Sequence, residues 1–127
     1  MTNLNKKLRD QALGKFAEDM AADRYISDGY VVLHRNWRLG KSEIDLIVQK
    51  EDTIAFVEVK ARSGEYENPE EAVTRDKMKR MIRVSDAYLR NLTGCYQYRF
   101  DIVAFTGSVD SYKIEILKDA FFATDIL

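Results

Sequence analysis

The chain has 127 residues, 46% of them hydrophobic and 32% charged, with a formal net charge of -1. That length predicts one domain, able to bury about two-thirds of its unfolded surface, and the composition excludes a disordered polar chain. The near-neutral balance speaks against a protein that coats nucleic acid by charge alone, the single cysteine, Cys95, excludes an intrachain disulfide, and no apolar run approaches the ~20 residues that cross a bilayer.

A cytoplasmic location with no membrane partner is expected, because the polar start MTNLNKKLRD is followed by no apolar stretch that reads as a secretion signal. A first helix is predicted from about Lys6 to Ser27. Leu13, Phe16, Ala17, Met20 and Ala21 recur at helical spacing, and Glu18 lies on the flank of that stripe. Ser27-Asp28-Gly29 reads as the stop. YVVLHRNW, residues 30 to 37, is rich in β-branched and aromatic residues and predicts a strand. EIDLIVQ (43 to 49) predicts a second strand, Lys50-Glu51-Asp52 a turn, and TIAFVEVK (53 to 60) a third, so the three form a meander. Asn68, Pro69 and Glu71 make a helix-start signature. The helix they begin is predicted to reach Leu92, with Met78, Met81, Ile82, Ser85, Leu89 and Leu92 facing inward. YRFDIVAF (98 to 105) and SYKIEIL (111 to 117) predict two more strands, and the tail DAFFATDIL reads equally as a short helix or an edge segment. The order α-β-β-β-α-β-β predicts an α/β fold, a mixed five-stranded sheet with a helix on each face. The long helix serves as a crossover that makes the third and fourth strands parallel.

Three charges sit inside these apolar strands. Strand side chains alternate between faces, so Ile54, Phe56, Glu58 and Lys60 share one face of the third strand and Ala55, Val57 and Val59 the other. Pairing residue i with residue 103 minus i across the Lys50-Glu51-Asp52 turn sets Asp45 opposite Glu58. Two carboxylates this close raise each other's pKa unless a cation lies between them. Mg²⁺ or Mn²⁺ fits, as a hard ion that takes oxygen ligands; Asp45, Glu58 and the Val59 carbonyl are the candidate metal ligands. Lys60 then has two candidate roles, orienting a water or stabilising charge on a phosphate. The tripeptide Glu-Val-Lys by itself equally describes an exposed strand whose charges pair in solvent.

The combination SEIDLIV and FVEVKAR resembles the YraN-like bacterial family of predicted endonucleases, which are similar to Holliday-junction resolvases within the PD-(D/E)XK nuclease superfamily. The resemblance extends over nearly the whole chain. Gly14, Glu18 and Ala21 match the first-helix pattern, and Asp45, Glu58, Val59 and Lys60 match the D…E-x-K signature. It implies a restriction-endonuclease-like fold, residues 1 to 127 forming one nuclease-like domain, and Asp45 and Glu58 as metal ligands with Lys60 catalytic. By analogy with resolvases it adds Glu18 to the site, a residue that its own helix would read as solvated. The implied activity is metal-dependent hydrolysis of nucleic-acid phosphodiesters, on branched or recombination and repair DNA, by a homodimer. The alternative is a non-catalytic nucleic-acid-binding or adaptor protein that retains the fold. Two positions depart from the family pattern: Ser42 stands where glycine is usual, and Tyr66-Glu67 where Phe-Gly is expected.

Candidate phosphate contacts are Arg38, Arg62 and Lys77. The second helix is basic in its middle, which suits phosphate and also an ordinary solvated face. Trp37 with Arg35 and Arg38 makes an aromatic-basic patch that could stack on nucleic acid or pack the turn. His34 and Cys95 have no partner residues that would make them catalytic. Asp101, two residues after Arg99 on one strand, is expected to form an ion pair or to have a structural role.

Overall fold

A computed structural model describes residues 3–64 and 73–126. Helix α1 (Asn3–Ser27) precedes strands β1 (Val31–Leu39), β2 (Ser42–Lys50) and β3 (Thr53–Arg62). Helix α2 (Arg75–Arg90), strands β4 (Gln97–Gly107) and β5 (Tyr112–Phe121) and a short helix α3 (Ala123–Ile126) follow. The five strands form one mixed sheet in the order β1-β2-β3-β4-β5. β1, β2 and β3 run antiparallel in turn, β3 and β4 are parallel, and β5 returns antiparallel. This is the expected α/β arrangement, with α2 as the crossover between the parallel pair.

The sheet separates two cores. On the α1 side lie Ala21, Tyr25, Leu46, Val48, Val57 and Val103; on the α2 side lie Ile47, Ile54, Phe56, Met81, Val84 and Ile102. Each fully buried aliphatic or aromatic side chain contributes about 1.5–3 kcal/mol, so the alternation of β3 holds both helix layers. The start of α1 stands apart: residues 3–12 are exposed.

The end of α1 is built by Gly29 at φ +94. The Gly29 amide donates to Ile26 O at 3.0 Å and the Tyr30 amide to Tyr25 O at 3.0 Å. This Schellman pattern satisfies carbonyls the helix would otherwise leave open and favours glycine, which reaches that φ without a Cβ penalty.

Two boundaries and one helix face differ from the sequence expectation. The predicted start of α2 at Asn68, Pro69 and Glu71 lies outside the described residues. The described helix begins at Arg75, because Thr74 is extended (φ -76, ψ 161) and its side chain accepts the Lys77 amide at 3.2 Å. A threonine N-cap thus ends any helix arriving from before it. The inner stripe of α2 also includes Val84 and Tyr88. The tail is both of its alternatives: β5 continues to Phe121, whose ring stacks on Phe100 with centroids 4.7 Å apart, and α3 follows. Among the described residues no helix is long and apolar enough to cross a membrane.

Candidate functional site

The ladder between β2 and β3 pairs Lys50 with Thr53 and continues to Leu46 with Val57, each pair obeying the 103-minus-i register. There it stops. β3 continues along β4 as far as Arg62, and β2 continues along β1 as far as Ser42. The two central strands therefore part in a fork, and Asp45 and Glu58 are the first residues past the last pair.

β2 is also turned at this point. Ile44 packs in the α2-side core and Leu46 in the α1-side core, although residues two apart normally share a face. On β1, between the pairs Arg35–Leu46 and Trp37–Ile44, Asn36 adopts φ +52. The distortion centres on Asp45. Its carboxylate accepts the Val59 amide at 2.8 Å, replacing the ladder bond that the fork removes. In a strand, the amide and carbonyl of one residue face the same edge, so the Val59 carbonyl also looks into the opening.

Each helix layer brings a charge to the fork. Glu18 of α1 approaches Asp45 from one side. Lys77, three residues after the Thr74 cap, reaches Glu58 from the other with Nζ 3.4 Å from Oε2. Asp45 and Glu58 are each only 8% exposed. Burial, then the Asp45 charge, pushes Glu58 up to about 8, with Lys77 pulling against them. Burial and then Asp45 raise Glu18 to about 7. Asp45 is itself raised by burial, a shift opposed chiefly by the Val59 amide. The fork therefore holds three carboxyl groups and more protons than their number would suggest at neutral pH.

Two buried carboxylate oxygens, Glu58 Oε2 and Glu43 Oε2, accept no hydrogen bond among the described residues. The Lys77 contact to Glu58 is an ion pair whose geometry makes no hydrogen bond. Glu43, two residues before Asp45, adds its charge to both Asp45 and Glu18 while pairing with Arg38 at 3.3 Å. The donors around the opening are thus oxygens, short of positive charge, and they suit a hard divalent cation. Among the described residues no three are spaced as a finished metal cage. Asp45 is engaged with Val59 and Glu58 with Lys77, so a cation would take the place now held by Lys77.

The other candidates fall at the rim. Lys60 is exposed and lines an open groove of about 590 Å³ with Val59, Arg62 and, on α1, Leu13 and Gly14. Arg38 is bound to Glu43. Lys77, expected to face phosphate, instead stands inside the site on Glu58. Trp37 packs edge-on against Tyr88 with centroids 5.1 Å apart, and His34 does so at 5.4 Å, which gives both rings places against the α2-side core.

Sequence reasoning missed Glu43, because strand alternation breaks at Asp45 and parity does not place it. It also missed a second buried aspartate network. Asp101 is 0% exposed. It accepts from Arg99 Nε at 2.9 Å, from the Tyr25 hydroxyl at 2.7 Å and from the Asp119 amide at 3.2 Å. Arg99 also donates to the Tyr30 hydroxyl at 2.7 Å. The expected Arg99–Asp101 pair is present, and its further partners lock α1 to β4.

Comparison with known proteins matches residues 17–105 to the Uncharacterised protein family UPF0102. Similar curated relatives include the UPF0102 proteins of Phocaeicola vulgatus (39% identical, covering 86% of this chain and 91% of the relative) and Bacteroides thetaiotaomicron (40%, 87% and 92%). A UPF0102 protein of Clostridium perfringens is 36% identical over 91% of this chain and 98% of its own length. The matched segment contains Glu18, Asp45, Glu58, Lys60 and Lys77, and by this match and these identities the chain belongs to the UPF0102 family.

Proposed function

We propose that this chain is a divalent-metal-dependent endonuclease that hydrolyses nucleic-acid phosphodiesters, with branched or recombination and repair DNA as the substrate class. The observation that carries this reading is the buried pair Asp45 and Glu58 at a sheet fork, joined by the half-buried Glu18, with an oxygen of Glu58 left without a hydrogen bond. Gathering three carboxyl groups, two of them buried, costs stability, and a cation-dependent reaction explains why that cost is carried. The α-β-β-β-α-β-β order and the D…E-x-K signature support it.

Asp45, Glu58 and the Val59 carbonyl would hold Mg²⁺ or Mn²⁺. When bound, such an ion neutralises the carboxylates, polarises the phosphate and eases loss of a proton from water. The chain's own groups supply the rest. Hydrolysis forms one P–O bond from water and breaks another, with a proton moving from the water to a base and another reaching the leaving oxygen. Glu18, titrating near 7, suits proton transfer near neutral pH. Lys60, exposed at the lip, offers its ammonium to the phosphate.

The test is incubation with branched, single-stranded and duplex DNA in Mg²⁺ or Mn²⁺. Cleavage should appear in the wild type and vanish in Asp45→Ala and Lys60→Ala; activity surviving in both overturns the assignment. One observation favours a second reading, a nucleic-acid-binding protein that keeps the fold without turnover: Lys77 already gives Glu58 an internal cation. That reading predicts tight binding of branched DNA, no cleavage and no calorimetric signal with Mn²⁺.

A further inference from the structure

Gly14 lies in the interior of α1, where glycine is the least favourable residue after proline. Among the described residues nothing asks for it. Its φ is not positive, and a Cβ built there would meet no atom within 4 Å. Alanine would fit and would strengthen the helix. A bare backbone also permits close approach by another molecule.

What lies outside is the open groove. Gly14 and Leu13 form one wall, with Asp10 at its end, and residues 59–64 of β3 and the turn after it form the other. That second wall is the edge of β3 left unpaired by the fork, as the last β2 partner is Leu46 opposite Val57. The groove opens into the candidate site through Val59, and Glu18 lies one helical turn beyond Gly14. Among the described residues that line it, two charges are positive and one negative. Lys60 and Arg62 stand on the β3 wall, Lys15 is exposed beside Gly14, and the exposed start of α1 carries Lys6, Lys7 and Arg9. The acid among the described lining residues is Asp10, which pairs with Lys6 at 3.4 Å.

We propose that this groove seats the sugar-phosphate backbone of one nucleic-acid strand, with Gly14 as the point where the strand passes closest to α1 on its way to the carboxylates. The proposal rests on the nuclease reading and adds a path for the substrate and a residue that sets its clearance. Basic side chains at the groove lips hold phosphates without reading bases. The bare Gly14 backbone admits a strand that a side chain would push away from Glu18.

The experiment compares wild type, Gly14→Ala and Gly14→Leu by two readouts. Thermal melting follows the helix, and fluorescence anisotropy follows a labelled single-stranded oligodeoxynucleotide at low salt in EDTA. Gly14→Ala should melt higher by roughly 3–6 °C and still bind more weakly. Gly14→Leu should keep its fold and lose about tenfold or more in affinity. Stability and binding then move in opposite directions, which a packing role for Gly14 cannot produce. Unchanged binding in Gly14→Leu overturns the groove assignment while leaving the nuclease reading standing, and so does lower melting in both variants. A wild type that neither binds the strand in EDTA nor cuts it with Mn²⁺ removes both.

Discussion

The Asp45 carboxylate accepts the Val59 amide at 2.8 Å at a point where β2 and β3 have already parted. Asp101 performs the same repair elsewhere, accepting the Asp119 amide at 3.2 Å beside the register shift between β4 and β5. The two buried aspartates differ in company. Asp101 is met by Arg99 and the Tyr25 hydroxyl, whereas Asp45 is met by Glu18 and Glu58. Asp45→Asn keeps an oxygen for the Val59 amide and removes the charge. It should therefore stay within about 1 kcal/mol of wild-type stability and lose cleavage by about 100-fold or more. Urea unfolding alongside a cleavage assay checks both halves.

Protons and a divalent cation should compete for the fork. Glu58 titrates near 8 and Glu18 near 7, so the oxygens are freed as pH rises through that range. Mn²⁺ affinity should increase from pH 6 to pH 8.5, and binding at pH 6.5 should release about one proton or more per ion. Calorimetry in buffers of different ionisation heat measures the release; binding independent of pH would contradict it.

The raised Glu58 also has a stability signature. A carboxyl that titrates higher in the folded chain favours folding only while it is protonated. Its contribution is lost as pH climbs from the ordinary value of 4.5 towards 8. Glu58→Gln removes the titration. It should be the more stable protein at pH 8.5, by on the order of 1 kcal/mol or more, and the advantage should shrink below pH 5. Melting curves across that range decide it.

Lys77 pulls Glu58 downward, so Lys77→Met should raise it further. In a metal-dependent cleavage assay the rising limb of the pH profile should move upward by about one unit. A Lys77 that acted only on substrate phosphate would weaken binding and leave the limb in place.

The Asp101 network offers a contrast with no bearing on chemistry. Asp101→Asn keeps one acceptor oxygen but leaves the Arg99 guanidinium without its buried counter-charge, and should cost about 2–4 kcal/mol in urea unfolding. Any activity lost should follow the loss of folded protein.

Much of this arrangement was legible because it is local. Asp45 and Glu58 lie on the two arms of one hairpin, whose turn is Glu51-Asp52, so one pairing rule placed them together, and the apolar alternation of β3 showed that both faces would be covered. The helix of α1 and the parallel pairing across α2 followed from periodicity and length. What escaped depends on distance in the chain. Tyr25 meets Asp101 from 76 residues away, and no sequence spacing announces that contact. Lys77 reached the site only because Thr74 caps α2, and the stronger proline signature upstream drew the predicted start away from it. The role of Glu43 was hidden for a third reason. Strand alternation breaks at Asp45, so a rule that assigns faces by parity loses its footing there.

The sheet is a partition between two chambers, and the fork is a breach in it. Glu18 belongs to one chamber and Lys77 to the other, yet both act on Asp45. A charge arriving at the breach is felt by both walls at once. Lys77 lowers the proton affinity of Asp45 from one side and Asp45 raises that of Glu18 on the other, so the two helix layers, which share little direct packing, meet electrically at a residue of the sheet.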